Sequence, residues 1–387
     1  MNNQPTQAEA GKKPPIVWPV TIFFILSNLA AITIVPWYGM EHGYGAAAWW
    51  SFFTFLMLNG LSITGGYHRL WSHRSYRARL PLKIFYMLFG TQALQNSVLI
   101  WAARHRVHHR HVDDNERDPY SAKLGLWYSH MGWMVRDWAP GEVNYDVVRD
   151  LKEDKLVMWQ HRNYWALTWA MNLGLPLLVG WLVGDIMGVF LLGGVLRLVV
   201  NHHLTFFINS LAHFVGRQTY SEESTARDSH VMGLITWGEG YHNFHHTFQN
   251  DYRNGVRWWH LDMGKWFIGI NVMLGQAYDL RRVPSFKIQR ARLQMLFRQA
   301  RESVQQSSND ARPWHEIVDE EYKAFLETVR RWQSLQSERF QSSSQALKNR
   351  WDKTSVASRL RELEYSLYQQ QRRMRALMRA ASMPAAA

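Results

Sequence analysis

Four stretches of this chain are too long and too apolar to sit at ease in water: Val17–Val35, Ala46–Thr64, Trp165–Val183 and Ile186–Phe207. Each approaches the roughly 20 apolar residues that an α-helix needs to cross a bilayer. Inside hydrocarbon every backbone N–H and C=O must find a partner within the segment, and a helix does that. The stretches come in pairs. A short connector around Met40–Tyr44 joins the first two and Gly184–Asp185 joins the second two, so the chain reads as two helical hairpins. Helices buried in a soluble core are the alternative, and spans of this length fit it poorly.

The connectors Trp37–Tyr44 and Gly184–Asp185 contain no Lys or Arg, whereas the segment between the hairpins holds Arg69, Arg74, Arg77, Arg79, Arg104 and Arg106. The positive-inside rule therefore puts both termini and the central segment in the cytoplasm. A load of 20 Trp, 16 Tyr and 18 Phe suits a protein with two membrane interfaces. A fifth apolar stretch, Leu80–Trp101, is interrupted by Gly90, Gln92, Gln95 and Asn96. It is expected to lie on the cytoplasmic face or to dip into it. The expected fold is an all-α integral membrane protein of four transmembrane helices capped by a cytoplasmic helical domain. Its expected divisions are a disordered N-terminus over 1–16, without a cleavable signal pattern, the membrane domain with its cap over 17–284, and a polar helical extension over 285–387. In that extension Ile317, Tyr322, Phe325, Leu326, Val329 and Trp332 recur at helical spacing. The amphipathic helix they predict is either an interaction module or a solvated tail.

The formal charge of +13 points to an anionic membrane surface or phosphate-bearing ligands. No basic stripe falls within a nucleic-acid-binding motif, so nucleic acid is not an expected partner. The chain has no Cys but 18 His. Disulfides, thiolate metal ligands and a Cys nucleophile are thereby excluded.

The histidines are clustered: His68 and His73; His105, His108 and His109; His242, His245 and His246. Spacings of three and four in the latter two groups place imidazoles on one helical face. Asn209 and His213 share a face at the end of the last apolar stretch. All four elements fall on the expected cytoplasmic side. A lone His is usually a satisfied structural residue, but nine gathered on one side of a membrane exceed one ordinary metal site and suit two. Imidazole accepts iron, zinc, copper or nickel. Removing hydrogens from an unactivated methylene pair needs an oxidant that acid–base side chains cannot supply, and iron with O2 supplies one.

The same residues, with Arg69-Leu70-Trp71-Ser72, Asp118-Pro119-Tyr120 and Gly240-Tyr241-His242-Asn243-Phe244-His245-His246, resemble the membrane fatty-acid desaturases over roughly residues 17–280. The likeness is to the acyl-CoA delta-9 (stearoyl-CoA) type, of bacterial kind. It implies two non-haem irons held by His68, His73, His105, His108, His109, His213, His242, His245 and His246, with Asn209 acting through water, and zinc as a substitute in purified material. It implies O2 as co-substrate and a kinked tunnel, with Gln95, Asn96, Trp101, Thr205 and Arg136 toward the substrate. A fatty acyl-CoA is the implied substrate, although Ala103, Arg104 and Asp137 depart from the mammalian pattern and leave acyl-lipid or carrier-bound groups open. No His-Pro-Gly-Gly haem motif occurs, so a separate electron donor of ferredoxin, flavoprotein reductase or cytochrome b5 type is expected. The implied location is the bacterial inner membrane. A related hydroxylase is the nearest competing enzyme. A His-rich metal transporter would place its ligands near the midplane of the spans, and here they lie outside. His130 and the intramembrane Arg197 call for a structural account.

Overall fold

The structure is a computed structural model that describes residues 13–306, 311–345 and 350–381. Among them are four helices long and apolar enough to cross a membrane: Trp18–His42, Ala46–Ser72, Tyr164–Val183 and Ile186–Phe214. The second and fourth run well past their apolar stretches. Each thus carries His68, or Asn209 and His213, at its own end. The turn between the last two spans is built from its sequence. Gly184 ends the third span at φ +74°, and Asp185 caps the fourth by accepting from Gly188 N at 2.8 Å. The second and fourth spans approach closely because Gly193 has no side chain: a Cβ there would lie 2.6 Å from Ser51 Oγ.

The second span changes character at its end. Ser62–Ser72 is π-helical, its ladder closing with His73 N to His68 O at 3.0 Å. Such wide turns are rare and concentrate at functional sites. Here the consequence is geometric. Five residues along an α-helix leave two side chains about 140° apart. The five-residue ladder instead brings the His68 and His73 rings to 4.7 Å.

The interrupted stretch is a re-entrant pair of helices. Leu80–Gln92 packs against the second span, the chain reverses through left-handed Leu94 and Asn96 at φ +52° and +74°, and Val98–His111 returns. The point of reversal has backbone groups that no lipid can satisfy. Two residues of the fourth span supply partners: His202 bonds to Ala93 O at 3.1 Å and Leu94 O at 3.3 Å, and Arg197 takes Gln92 O. Its guanidinium is fully buried and donates to Gln92 O at 2.8 Å, Asn59 Oδ1 at 3.0 Å, Asn172 Oδ1 at 3.1 Å and Gly193 O at 2.9 Å. Asn59 in turn donates to Phe89 O at 3.0 Å and Gln92 Oε1 at 2.8 Å. A cation at a helix C-terminus is also favoured by the helix dipole.

The chain forms two compact units. The first holds the spans, the re-entrant pair and the His-bearing elements, tied together by a two-residue antiparallel ladder of Arg77–Ala78 with Ala277–Tyr278. Residues 14–16, expected to belong to a disordered terminus, are pinned: Ile16 bridges Arg136, and Arg136 Nη1 donates to Pro14 O at 2.6 Å. The second unit comprises Thr219–Ser221 and Val283–Ala387. Its helices Ser285–Gln306, Ala311–Gln345 and Arg350–Ala381 enclose a core of their own that includes Phe297, Phe325, Val329 and Leu367. The extension is therefore a packed module, and the helical stripe read at Phe325 and Val329 is its interior.

Gly90 lies where the re-entrant helix meets the second span, and a Cβ there would sit 2.2 Å from the Tyr67 ring. Gly90→Ala is expected to overpack this contact by about 1–3 kcal/mol. Thermal unfolding followed by the intrinsic Trp signal should show a lowered Tm, and an unchanged Tm would contradict the packing.

Candidate metal centre

The nine histidines converge in two groups. His68, His73, His105, His109 and His245 form one, and His108, His213, His242 and His246 the other; within each, the ligand-type nitrogens all lie within 4.8 Å of one another. In the five-membered group Nε2 atoms face each other at 2.8 Å between His73 and His105, and at 2.9 Å between His245 and both His68 and His109. In the four-membered group His242 stands 3.1 Å from His213 and from His246. The groups abut, the His109 and His246 rings stacking at 4.3 Å.

Neutral imidazole has one N–H and one lone pair, so the nitrogen opposite fixes the tautomer. His108 Nδ1 lies 2.8 Å from Asp118 Oδ1, and His68 Nδ1 lies 2.9 Å from Glu239 Oε2. A carboxylate accepts, so His108 Nδ1 carries the proton of its contact and the His108 Nε2 lone pair points into the cluster. His213 Nδ1 meets Thr225 Oγ1 at 2.8 Å, whose hydroxyl donates to Asp113 Oδ1 at 2.7 Å. Asp113 N donates to Asp118 Oδ2 at 2.9 Å, which links the supports of His108 and His213. His105 Nδ1 meets Tyr120 OH at 3.3 Å. Glu239 is itself gripped by Arg69 at 3.0 Å, and Arg69 by Asp262 at 2.9 Å.

Burial, then the neighbouring imidazoles, pushes His73, His105, His109, His245 and His246 well below the ordinary histidine range, and His242 down to about 3. Burial alone would raise the Glu239 carboxyl, but His68 and Arg69 hold it well below the usual carboxylate range. The histidines shifted in this way are neutral donors, and Glu239 beside them is an ionised carboxylate. This donor set fits metal ions. Two nitrogens about 2.1 Å from one ion and at right angles to each other stand about 3.0 Å apart, while tetrahedral ligands stand about 3.4 Å apart. The close pairs here match the former, and five nitrogens in one group exceed a tetrahedral site.

A cavity of about 850 Å³ runs beside the cluster, with His68, His105, His242, Glu239 and Asn209 on its wall. Phe190 and Thr205 of the fourth span both line it. Fifteen residues of helix separate them, so the cavity is roughly 20 Å long or more. Gln95, Asn96, Trp101, Thr205 and Arg136 all line it as well. Gln95 Nε2 donates to Thr205 Oγ1 at 2.9 Å, Trp101 Nε1 donates to Gln95 Oε1 at 3.2 Å, and the Trp101 ring stacks 4.8 Å from His105. These three form a collar at the cluster. Asn96 holds its turn through its backbone N–H to Tyr164 OH at 3.0 Å. His202 bonds to Ala93 O at 3.1 Å, and His203 and His130 bond to each other at 3.0 Å, all away from both ligand groups. The sequence reading missed Glu239, Asp113 and Thr225. Asp118 and Tyr120 were visible only as a flanking motif.

A model of the family described as fatty acid desaturase matches residues 45–268. The chain belongs to the fatty acid desaturase family. The matched region holds all nine histidines of the cluster and ends before Val283, where the main part of the second unit begins. Over 237 residues the chain is 44% identical to the "Probable acyl-CoA desaturase" of Schizosaccharomyces pombe, covering 61% of this chain and 49% of that protein. Over 238 residues it is 43% identical to "Acyl-CoA desaturase 1" of Saccharomyces cerevisiae, covering 61% and 46%. It therefore spans about half the length of these yeast relatives. Identity to "Stearoyl-CoA desaturase 4" of Mus musculus is 38% over 288 residues, 72% of this chain and 79% of that protein. With its four apolar helices, this member of the family is an integral membrane protein.

The two groups make separate demands on the metal content. His245→Ala removes a nitrogen that faces both His68 and His109, and is expected to lower bound metal by about one ion per chain. Elemental analysis of protein purified with iron present checks this, and full metal content would refute the grouping. Asp118→Ala should weaken retention about 10- to 100-fold, as loss of a support to a ligating histidine does. Chelator titration reads it.

Proposed function

We propose that this protein is an O2-dependent fatty acyl desaturase that introduces a cis double bond, at the delta-9 position, into a saturated acyl-CoA. The observation that carries the proposal is the juxtaposition of two convergent imidazole groups with a long, collared, mostly apolar cavity. The names of the yeast and mouse relatives support acyl-CoA as the substrate class. The balance is one CH2–CH2 unit, O2, two electrons and two protons in, and one CH=CH unit and two waters out.

The five- and four-histidine groups would each hold one non-haem iron, with Asn209 beside the second through water. Bound iron with O2 supplies the oxidising power that abstracts hydrogen from an unactivated methylene. The protein's own residues select where that happens. Gln95, Trp101 and Thr205 satisfy one another's polar groups, and Thr205 Oγ1 also donates to Asn201 O at 2.9 Å. A passing acyl chain therefore meets a collar in which the Trp101 N–H, the Thr205 O–H and one Gln95 N–H are already bonded. Trp101 forms part of the bend and stacks on His105, so one wall fixes both the chain and a ligand. Arg136 lies on the same cavity, and we assign it to the head-group side. The electrons come from a separate carrier of ferredoxin, flavoprotein reductase or cytochrome b5 type. Both termini and the cluster lie on the cytoplasmic side, by the distribution of Arg described above.

The experiment is anaerobic loading with iron, followed by acyl-CoA, reductant and O2, with gas-chromatographic mapping of products. A cis-monounsaturated acyl chain is the expected product. A hydroxylated chain would instead identify a hydroxylase, and no product from acyl-CoA but product from acyl-lipid would reassign the head group. Misplacement by about 1 Å costs roughly 100-fold in rate. Thr205→Leu and Trp101→Ala should therefore lower turnover about tenfold or more, or scatter the double-bond position, while acyl-chain binding survives.

Topology is open to direct labelling because the chain has no Cys. Lys123 and His42 are both exposed. Lys123→Cys should react with an impermeant thiol reagent from the cytoplasm and His42→Cys from the opposite side. Reaction of both from one side would overturn the four-span arrangement.

A further inference from the structure

Helix Met263–Met273 is too short to cross a bilayer. Eleven residues rise about 16 Å, against a hydrocarbon core of about 30 Å. Its side chains are nevertheless distributed as on a membrane helix. Its single charge, Lys265, points inward and donates to Gly255 O and Arg257 O at 2.8 Å and to His260 O at 3.3 Å. Asn271 is buried. The outward face carries Trp266, Ile270 and Met273, continued by Leu274. Met273 is 79% exposed, and Trp258, in the turn that precedes the helix, is 82% exposed. Trp259 beside it lies under the Arg257 guanidinium at 4.8 Å.

We propose that this helix and the Trp258–Trp259 turn are a fifth, monotopic membrane contact, whose outward face is covered by lipid. Three observations select the bilayer over a protein partner. The helix packs on the end of a membrane span: a Cβ on Gly264 would lie 3.0 Å from Arg69 and 3.1 Å from Thr64. It packs equally on the re-entrant helix, Phe267 meeting Phe85 with ring centroids 5.6 Å apart. It thus sits beside the re-entrant helix, whose Leu80 and Ile84 are exposed like its own outer face. Finally, a protein-docking patch has a polar rim, and this helix exposes neither a charged nor an amide side chain. Tryptophan with arginine at one end is the composition of a headgroup-level anchor. The proposal rests on the four spans and is independent of the reaction.

The contact ends close to the metal cluster. Asp262 caps the helix by accepting from Lys265 N at 2.8 Å, and it grips Arg69, which grips Glu239, which holds His68 Nδ1. Lipid attachment is thereby joined to a ligand histidine through side chains alone.

The test uses the full chain, which needs no removal of native Cys. Ile270→Cys and Met273→Cys are each labelled with an environment-sensitive fluorophore and reconstituted in phosphatidylcholine vesicles. Trp181→Cys, at an exposed position of the third span, serves as the lipid-facing control, and Glu142→Cys, at an exposed cap position, as the aqueous control. Metal content equal to the parent's certifies the fold of each labelled protein. The expected result is a blue-shifted emission at both helix sites. Loss of intensity to lipids bearing a nitroxide near the head of the acyl chain should match that of Trp181→Cys, and iodide should have little effect. Quenching by iodide but not by nitroxide lipid places the face in water and overturns the proposal. Protection from both quenchers puts protein over the face, either a second copy or another chain, and also overturns it.

Discussion

Lone pairs on neighbouring imidazole nitrogens repel, and the molecule is built around holding nine of them together. No single element can do this. The ligands come from the ends of two spans, one re-entrant helix and one short helix of the cap. Three of the nine rings have a support beside the nitrogen that faces away from the cluster: Asp118 at His108, Glu239 at His68, and Thr225 with Asp113 at His213. Removing water from these carboxylates is costly, and buried charge of this kind is tolerated only where partners complete it. Arg69 and Asp262 complete Glu239. The second shell is therefore as much a requirement of the cluster as the ligands.

The same accounting explains the re-entrant pair. A chain that turns back within the membrane leaves carbonyls without helical partners; His202 takes up those of Ala93 and Leu94, and Arg197 that of Gln92. Four acceptors surround its guanidinium, none a carboxylate. The arginine is thus a C-terminal cap delivered from another helix. By fixing Gln92 it fixes the turn that follows, and with it Gln95, Asn96 and the start of the helix carrying His105. The intramembrane charge that called for a structural account is part of the scaffold that shapes the cavity.

Much of this was legible in the residues. The four spans stood out because apolar side chains facing lipid form unbroken runs. Their ends did not, because Ser62–Ser72 and the residues after Phe207 are covered by protein and carry polar side chains along a continuing helix. The His105 and His242 groups announced one face by spacings of three and four. His68 and His73, five apart, did not, since a shared face at that spacing needs a π-helical ladder. Glu239, Asp113 and Thr225 were silent because their role depends on tertiary placement and on no local pattern. In the extension the stripe through Phe325 and Val329 revealed one helix. The partners it packs against have charged, Gln-rich sequences in which the buried positions are sparse.

The π-helical end of the second span has a consequence for how such a chain can vary over time. Substitutions along Ser62–Ser72 alter side chains one at a time, but loss of a single residue would reset the ladder to four-residue steps and swing everything beyond it by about 100°. His68 would then part from His73, and Arg69 from Glu239 and Asp262, in one genetic event. Length is therefore a more stringent constraint on this segment than composition. A change in the number of residues between Ser62 and Ser72 displaces His68 and Arg69 together, which a single substitution elsewhere in the segment does not.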